Sequence, residues 1–260
     1  MDTQRILFLK VPIDIVKVED LPDVIAGLLA SAKNPPSAAP AAGNPPVNGQ
    51  NIVLLSLSDL LRARRNGEYR TYVCNAALVL PISKCIVSGA KFLTGKEVPR
   101  YMPFKFVISL LSILEKQENS LYLLGSKKRT LKKTEKNIHT TFPHLNIVGR
   151  HSGRIRKREA PAVIQAIRKA SASLLLVGKG VRGRELWIAR NSRNINSGMR
   201  LWCSDLFDVF AEKKRRPSDA IFDRGLEGFA LCFQKPHRFL RVFPLLRYYL
   251  LLLFYKIFNK

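Results

Sequence analysis

The sequence is poor in cysteine and histidine, and both shortages exclude classes of site. Four cysteines occur in 260 residues: Cys74, Cys85, Cys203 and Cys232. No two of them are spaced as C-x-x-C, so buried thiols are favoured over a disulfide framework or a zinc site. The four histidines are scattered and form no metal-ligand pair. Because no acidic residues have metal-ligand spacing either, we expect neither a metal nor a cofactor.

Acidic residues are also scarce. There are 19 of them against 44 lysines and arginines, which gives a formal net charge of +25. Such an imbalance favours an anionic partner: nucleic acid, an anionic membrane surface or a phosphate-bearing substrate. Charge alone does not choose among the three. A hydrophobic content of 47% is enough for a sizeable core, which excludes a disordered chain.

The sequence has no apolar run of the roughly 20 residues needed to span a bilayer. The first twenty residues are charged and contain no apolar core long enough for a secretory signal, so we expect the body of the protein in the cytoplasm. The most apolar stretch, residues 242–258, is interrupted by Arg247 and Lys256. It is typical of a helix lying in the headgroup region, peripheral at the inner face of the cell membrane. A core helix that caps the domain is the alternative.

Composition divides the chain into four segments. Residues 1–32 contain two short β-like runs and a helical pattern. Residues 33–50, KNPPSAAPAAGNPPVNGQ, are rich in Pro, Ala, Gly and Asn and are predicted to be a flexible insertion. Residues 51–217 carry the predicted core, and residues 218–260 a basic and apolar helical appendage that associates with membrane.

Short apolar runs alternate with helical patterns from residue 51 onwards. The runs NIVLLS, ALVLP, SLYLLG, LNIVG, SLLLVG and MRLWCS predict strands. Between them, SDLLRARRNGEY predicts one helix and KKRTLKKTEKNIHTTF another, which Ser126 is placed to cap. Short strands between helices of this length predict an α/β fold, with a mostly parallel Rossmann-like sheet covered by helices on both faces.

Glycines follow three of the predicted strands, at Gly125, Gly149 and Gly178. Ligands bind beyond the carboxyl ends of the strands in such sheets, so these glycines are expected at the binding edge. A tight strand-to-helix turn is the alternative reason for each of them.

The stretch VGKGVRGRELW places Gly178, Gly180 and Gly183 in the order G-x-G-x-x-G. A dinucleotide site is usually built on the first strand and helix of the sheet, with an acidic residue about 20 positions later. Asp205 has acceptable spacing, but the motif comes late in the chain. The dinucleotide interpretation is therefore disfavoured.

Five stretches follow one another in a recognisable order: KVPIDIV, LYLLGSKKRT…FPHLNIVGRHSGRI, ASLLLVGKGVRGRELWIARN, FDVFAEKKRRP and GLEGFALCFQKPHRFLR. In that order and spacing they resemble the WecG/TagA/CpsF glycosyltransferases, glycosyltransferase family 26, over nearly the whole chain. The resemblance implies inverting transfer of an N-acetylhexosamine-type sugar from a UDP-sugar to a polyprenyl-diphosphate-linked acceptor in cell-surface polysaccharide synthesis.

The same resemblance implies roles for individual residues. Those expected to bind the substrates are Ser56, Ser58, Arg100, Gly125, Gly178, Gly180, Arg184 and Trp187. Those expected to reach the acceptor diphosphate and the anionic membrane are Arg238, Arg241 and Arg247.

The chain departs from the family where the catalytic base is expected. The family carries an Asp there, but this chain has Ile82 after Pro81, and isoleucine cannot accept a proton. Either Glu185 or Asp59 has taken over the role, or the chain binds its substrates without turnover, or the chemistry has shifted to another sugar. A basic nucleic-acid-binding protein is the competing class, although no RNA- or DNA-binding motif is present. The oligomeric state, including a homo-oligomer, stays open.

Overall fold

The computed structural model describes residues 3–33, 50–216, 218–224 and 242–258. Most of the predicted insertion at 33–50 lies outside the described residues. The positions of Arg238 and Arg241 also lie outside them.

A six-stranded parallel sheet forms the centre of the molecule, preceded by an antiparallel hairpin. The hairpin consists of β1 (Gln4–Phe8) and β2 (Val11–Ile15). The sheet strands are β3 (Gln50–Leu55), β4 (Leu78–Pro81), β5 (Ser120–Leu124), β6 (Asn146–His151), β7 (Leu174–Gly178) and β8 (Met199–Ser204). Their order across the sheet is β4-β3-β8-β7-β5-β6. The predicted α/β class with a parallel sheet is confirmed.

Helices cover both faces of this sheet. They are α1 (Leu21–Lys33), α2 (Leu57–Ala63), α3 (Glu68–Cys74), α4 (Lys84–Thr94), α5 (Pro103–Lys116), α6 (Lys128–Thr141), α7 (Ala160–Ala170), α8 (Glu185–Asn191), α9 (Leu206–Phe210), α10 (Asp219–Arg224) and α11 (Val242–Phe258). Alternate residues of β7 enter different cores, because successive strand side chains point to opposite faces. Leu175 lies in a core shared with α2, α3, α7, α8 and α11, and Leu176 in a core shared with α1, α5, α6 and α9.

A buried carboxylate fixes the hairpin against the edge of the sheet. Asp14 accepts hydrogen bonds from Arg5 Nε at 2.7 Å and from the Val79 amide of β4 at 2.6 Å. Asp14 is almost fully buried. Pairing with Arg5 and the amide offsets the cost of burying its charge.

Two local predictions differ from the structure. The predicted helix SDLLRARRNGEY is broken into α2 and α3 at the Asn66–Gly67 turn. Ser126 does not cap α6: the N-cap is Lys127, and no side chain caps it. Tertiary hydrogen bonds override the preference of serine for the N-cap. The Ser126 amide donates to Lys179 O, and the Ser126 carbonyl accepts from the Gly153 amide. These bonds hold the Ser126 backbone at φ +58°.

The C-terminal helix α11 has two different faces. Tyr248 and Leu252 are buried in the core beside α4, and Tyr248 Oη donates to the Cys85 carbonyl at 2.5 Å. The opposite face is apolar and exposed, at Phe243, Leu246, Leu250, Leu253, Phe254 and Ile257. Part of the helix therefore packs on the core, as the core-helix alternative requires. Within the described ranges, no helix is both long enough and apolar enough to cross a bilayer.

Candidate functional site

The predicted site residues gather at the carboxyl edge of the sheet. Ser56 follows β3, Gly125 follows β5 and Gly178 ends β7. Strands β3 and β7 flank β8, and hydrogen-bonded neighbouring strands lie about 4.8 Å apart, so β3 and β7 are about 10 Å apart where both pair with β8.

The glycines at this edge let three loops pack backbone against backbone. A Cβ added to Gly125, which has φ +140°, would lie 2.8 Å from the backbone of Gly178. A Cβ added to Gly178 would lie 2.6 Å from the ring of Phe207, and one added to Gly153 would lie 2.8 Å from the backbone of Gly180. Close approach of the loops is thus one reason for these glycines. Their contact with a donor stays a prediction.

Ser56 and Asp59 form a capping box at the start of α2. The Asp59 amide donates to Ser56 Oγ at 3.3 Å, and the Ser56 amide donates to Asp59 Oδ2 at 3.4 Å. Ser58 Oγ lies 2.9 Å from Ser56 Oγ. Ser83 Oγ accepts from the Leu57 amide at 3.0 Å, which links the ends of β3 and β4. The three predicted residues are therefore together, with Asp59 engaged in a helix cap.

Glu185 is a buried carboxyl group between two arginines. Its side chain lies 3.4 Å from Arg62 Nη1 and 3.3 Å from Arg184 Nη2. Burial raises the pKa of Glu185, the nearby charge of Asp59 adds to the rise, and the two arginines oppose it. A carboxyl group with a raised pKa binds a proton more tightly, which suits a general base working near neutral pH.

Arg62 is a site residue that sequence reasoning missed. Its guanidinium stacks on Tyr69, 4.0 Å from the ring centroid, while contacting Glu185. Burial raises the pKa of Tyr69, and so do the charges of Asp59 and Glu185. Arg62 and Glu185 are 123 positions apart in the sequence, so no local pattern indicates the contact.

Ile82 stands at the end of β4, half-buried, with Arg100 against its backbone. The Ile82 amide donates to Leu55 O at 3.0 Å, and its carbonyl accepts from Arg100 Nε at 2.9 Å. Arg100 also donates to the Phe222 carbonyl and stacks on the Phe222 ring at 3.7 Å. Arg100 thus holds the end of β4 against α10.

Comparison with known proteins decides the family. The model of the Glycosyl transferase WecG/TagA/CpsF family matches residues 6–260. The chain belongs to this family. It is also similar to the N-acetylglucosaminyldiphosphoundecaprenol N-acetyl-beta-D-mannosaminyltransferase of Bacillus subtilis (strain 168), with 22% identity over 191 residues, 74% of this chain and 74% of the relative.

The remaining predicted residues of this WecG/TagA/CpsF glycosyltransferase are spread over two places. Arg184 immediately precedes α8 and lies 6.0 Å from the ring of Trp202, while Trp187 packs partly against the core. Arg247 is exposed on α11. Asp205, the acid with dinucleotide-like spacing, forms an ion pair with Lys214. In the part of the chain that the structure describes, no three His, Cys, Asp or Glu side chains are grouped to hold a metal.

Proposed function

We propose that this glycosyltransferase moves an N-acetylhexosamine-type sugar from a UDP-sugar to a polyprenyl-diphosphate-linked acceptor, with inversion. The family supports sugar transfer. The name of the Bacillus relative describes an N-acetylmannosaminyl donor group and an undecaprenyl-linked acceptor. The observation that carries the proposal is the buried Glu185 beside Asp59 and Arg62. The family resemblance predicts a catalytic Asp at the position of Ile82, so another base is required.

In the proposed step Glu185 is the base. Its carboxylate takes the proton of the acceptor hydroxyl while that oxygen attacks the anomeric carbon of the donor sugar. The bond from this carbon to the UDP oxygen breaks, and UDP leaves with the electron pair. Arg100 and Arg184 supply the positive charge that stabilises the leaving diphosphate, since planar guanidinium groups donate paired hydrogen bonds to phosphate.

A second candidate is binding of the same substrates without turnover. The observation that favours it is the half-buried Ile82 at the end of β4, together with the use of Asp59 in a helix cap. Both candidates predict donor binding. Only sugar transfer predicts a new glycosidic product.

A donor screen tests the proposal. Purified protein is incubated with a panel of UDP-sugars and a synthetic polyprenyl-diphosphate sugar, and the products are read by mass spectrometry. We expect one UDP-N-acetylhexosamine to add its sugar mass to the lipid and release UDP. Donor binding by calorimetry with no product from any donor would instead establish the second candidate. Salt-dependent binding to single-stranded RNA with no UDP binding would favour the nucleic-acid class.

We also propose that α11 brings the enzyme to an anionic membrane, peripheral at its inner face, where a lipid-linked acceptor resides. The exposed apolar face of α11 is more than half exposed at Leu250 and Phe254, and Arg247 and Lys256 lie on the same helix. An apolar face with flanking cations is typical of a helix that lies in the headgroup region. The inward face keeps the helix attached to the core through Tyr248.

The double variant Leu250→Glu/Phe254→Glu should therefore release the protein from vesicles of anionic lipid. Each change removes an apolar side chain worth about 1.5–3 kcal/mol on burial, so we expect binding to fall at least about tenfold. Co-sedimentation with vesicles measures it. These positions are exposed, so the fold should survive, whereas deletion of residues 236–260 would uncover the core around Tyr248.

Leu7→Glu/Val18→Glu is the matched control for vesicle binding, because it also replaces two exposed apolar residues by Glu. Val18 is 62% exposed, as against 60% for Leu250, and its neighbour Leu21 packs in the core on the other face of the sheet. The control adds the same two negative charges without touching α11. Equal loss of binding in the control and the double variant would show that overall charge, rather than the apolar face of α11, holds the protein to the membrane.

A further inference from the structure

The start of α6 lacks the acceptors that a helix N-terminus requires. The first backbone amides of a helix have no partner within it and need side chains, water or a ligand. Helix α6 has 14 residues, no side chain caps its N-cap Lys127, and no acidic residue occurs in its first turn. This helix begins directly after β5, at the carboxyl edge that carries the candidate site.

Positive side chains are concentrated at this same helix end. Lys127, Lys128 and Arg129 are consecutive and exposed, and none of the three has an ion-pair partner among the described residues. Lys213 adds a further cation by donating to Thr130 Oγ1 in the first turn. Cations at the positive end of a helix dipole repel it, so this arrangement is unfavourable unless an anion is bound.

Nearby carboxylates do not supply that anion, because other lysines and arginines hold them. Asp208 pairs with Lys179, and Glu212 pairs with Lys133 at 2.7 Å. Glu135, within α6 itself, pairs with Arg150. The cations of the first turn are thus left for a ligand from solution.

Ser126 gives a second and independent indication of a ligand. It is 4% exposed, and its Oγ has no hydrogen-bond partner in the structure. Both of its backbone groups are used, by Lys179 O and by the Gly153 amide, so the hydroxyl alone is unsatisfied. Buried hydroxyl groups almost always have a partner. Because Ser126 directly precedes the N-cap, this donor lies at the same helix end as the unpaired amides.

We propose that the N-terminus of α6 is a binding site for a diphosphate group. The first-turn amides and the Ser126 hydroxyl donate to phosphate oxygens, and Lys128 and Arg129 balance the charge. Phosphate groups bind at helix N-termini in this way, and hydrogen bonds to a charged group are the stronger kind. The inference rests on the proposed function only for the source of the diphosphate, which is either the UDP donor or the lipid-linked acceptor.

The test measures binding by calorimetry at fixed ionic strength with four probes: pyrophosphate, UDP, uridine and farnesyl diphosphate. We expect Lys128→Ala/Arg129→Ala to weaken pyrophosphate binding about tenfold, and Ser126→Ala to weaken it several-fold. Uridine, which has no phosphate, should be unaffected. If the variants also lose affinity for UDP but not for farnesyl diphosphate, the donor is the source of the diphosphate. If they lose affinity for farnesyl diphosphate but not for UDP, the acceptor is the source.

Lys132→Ala/Lys136→Ala is the matched control, because it removes two exposed charges from later turns of the same helix. Its pyrophosphate affinity should change less than about twofold. Equal weakening by both double variants, or unchanged pyrophosphate binding in Lys128→Ala/Arg129→Ala, overturns the site. Pyrophosphate binding needs no turnover, so the two proposals can fail separately. Binding at α6 without sugar transfer in the donor screen would support this site alone, and sugar transfer without binding at α6 would support the proposed function alone.

Discussion

Replacing Glu185 by Gln is expected to reduce sugar transfer roughly 10²–10⁴-fold, the contribution of a positioned general base. Glutamine keeps the size and hydrogen-bonding reach of the side chain but cannot accept the acceptor's proton. We propose that the buried carboxyl group between Arg62 and Arg184 takes this proton, because Ile82 at the end of β4 cannot. Single-turnover transfer to a polyprenyl-diphosphate sugar, followed by mass spectrometry, measures the loss.

The raised pKa of Glu185 gives this prediction a pH signature. A base must be ionised to work, so transfer by the unmodified protein should fall as pH drops through the raised pKa, above the usual range for Glu. The same raised pKa makes the free energy of unfolding change with pH in the opposite direction to transfer. An acid with a raised folded-state pKa stabilises the fold while protonated and loses that contribution as pH rises. Glu185→Gln should therefore melt at pH 7 no lower than the unmodified protein.

Two control variants separate the possible bases. Asp59→Asn keeps a side-chain oxygen at N3 that can accept from the Ser56 amide, so it should fold normally and retain transfer if Glu185 alone is the base. Glu159→Gln alters a surface pair with Arg156 and should leave transfer unchanged. Full activity in Glu185→Gln would eliminate Glu185 as the base, and a large loss confined to Asp59→Asn would assign the role to Asp59.

The sequence predicts the sheet well because its central strands are short apolar runs separated by helical patterns. Leu174, Leu175 and Leu176 are all fully buried, as a strand covered on both faces requires. Helices were harder to predict than strands. Helix α4 was not predicted, and it contains Gly89, a poor helix former, in its interior. Gly89 is needed there because Tyr248 and Leu252 of α11 pack against it, a contact that no window around α4 reveals.

The roles of the candidate site residues stay a prediction, but their proximity can be examined. Ser56 and Glu185 were singled out through the family resemblance and Asp59 as a second candidate base, and Ser56 and Asp59 lie together at the start of α2. Arg62 reaches Glu185 from another helix, so sequence spacing gave no sign of it. Ser126 looked like a helix cap, but bonds to the loops after β6 and β7 fixed its backbone in another conformation.

Gly125→Ala is expected to destabilise the protein by about 3 kcal/mol or more, a fall in melting temperature of roughly 10 °C. Two independent costs add. At φ +140° an alanine is strained, and its Cβ would lie 2.8 Å from the Gly178 backbone, where no flexible side chain can move away. Relief requires the ends of β5 and β7 to separate, which disturbs the carboxyl edge. Thermal unfolding followed by circular dichroism measures the change.

Gly27→Ala is the control for this effect, because Gly27 lies within the exposed surface of α1 with nothing within 4 Å of an added Cβ. There alanine should stabilise the helix by up to about 1 kcal/mol. If Gly125→Ala melts as the control does, the loops do not meet as closely as the structure shows. If Gly125→Ala lowers the melting temperature, any loss of transfer in that variant reflects disrupted backbone packing. Only a variant of Gly125 that keeps the melting temperature of the unmodified protein can assign Gly125 a contact with the donor.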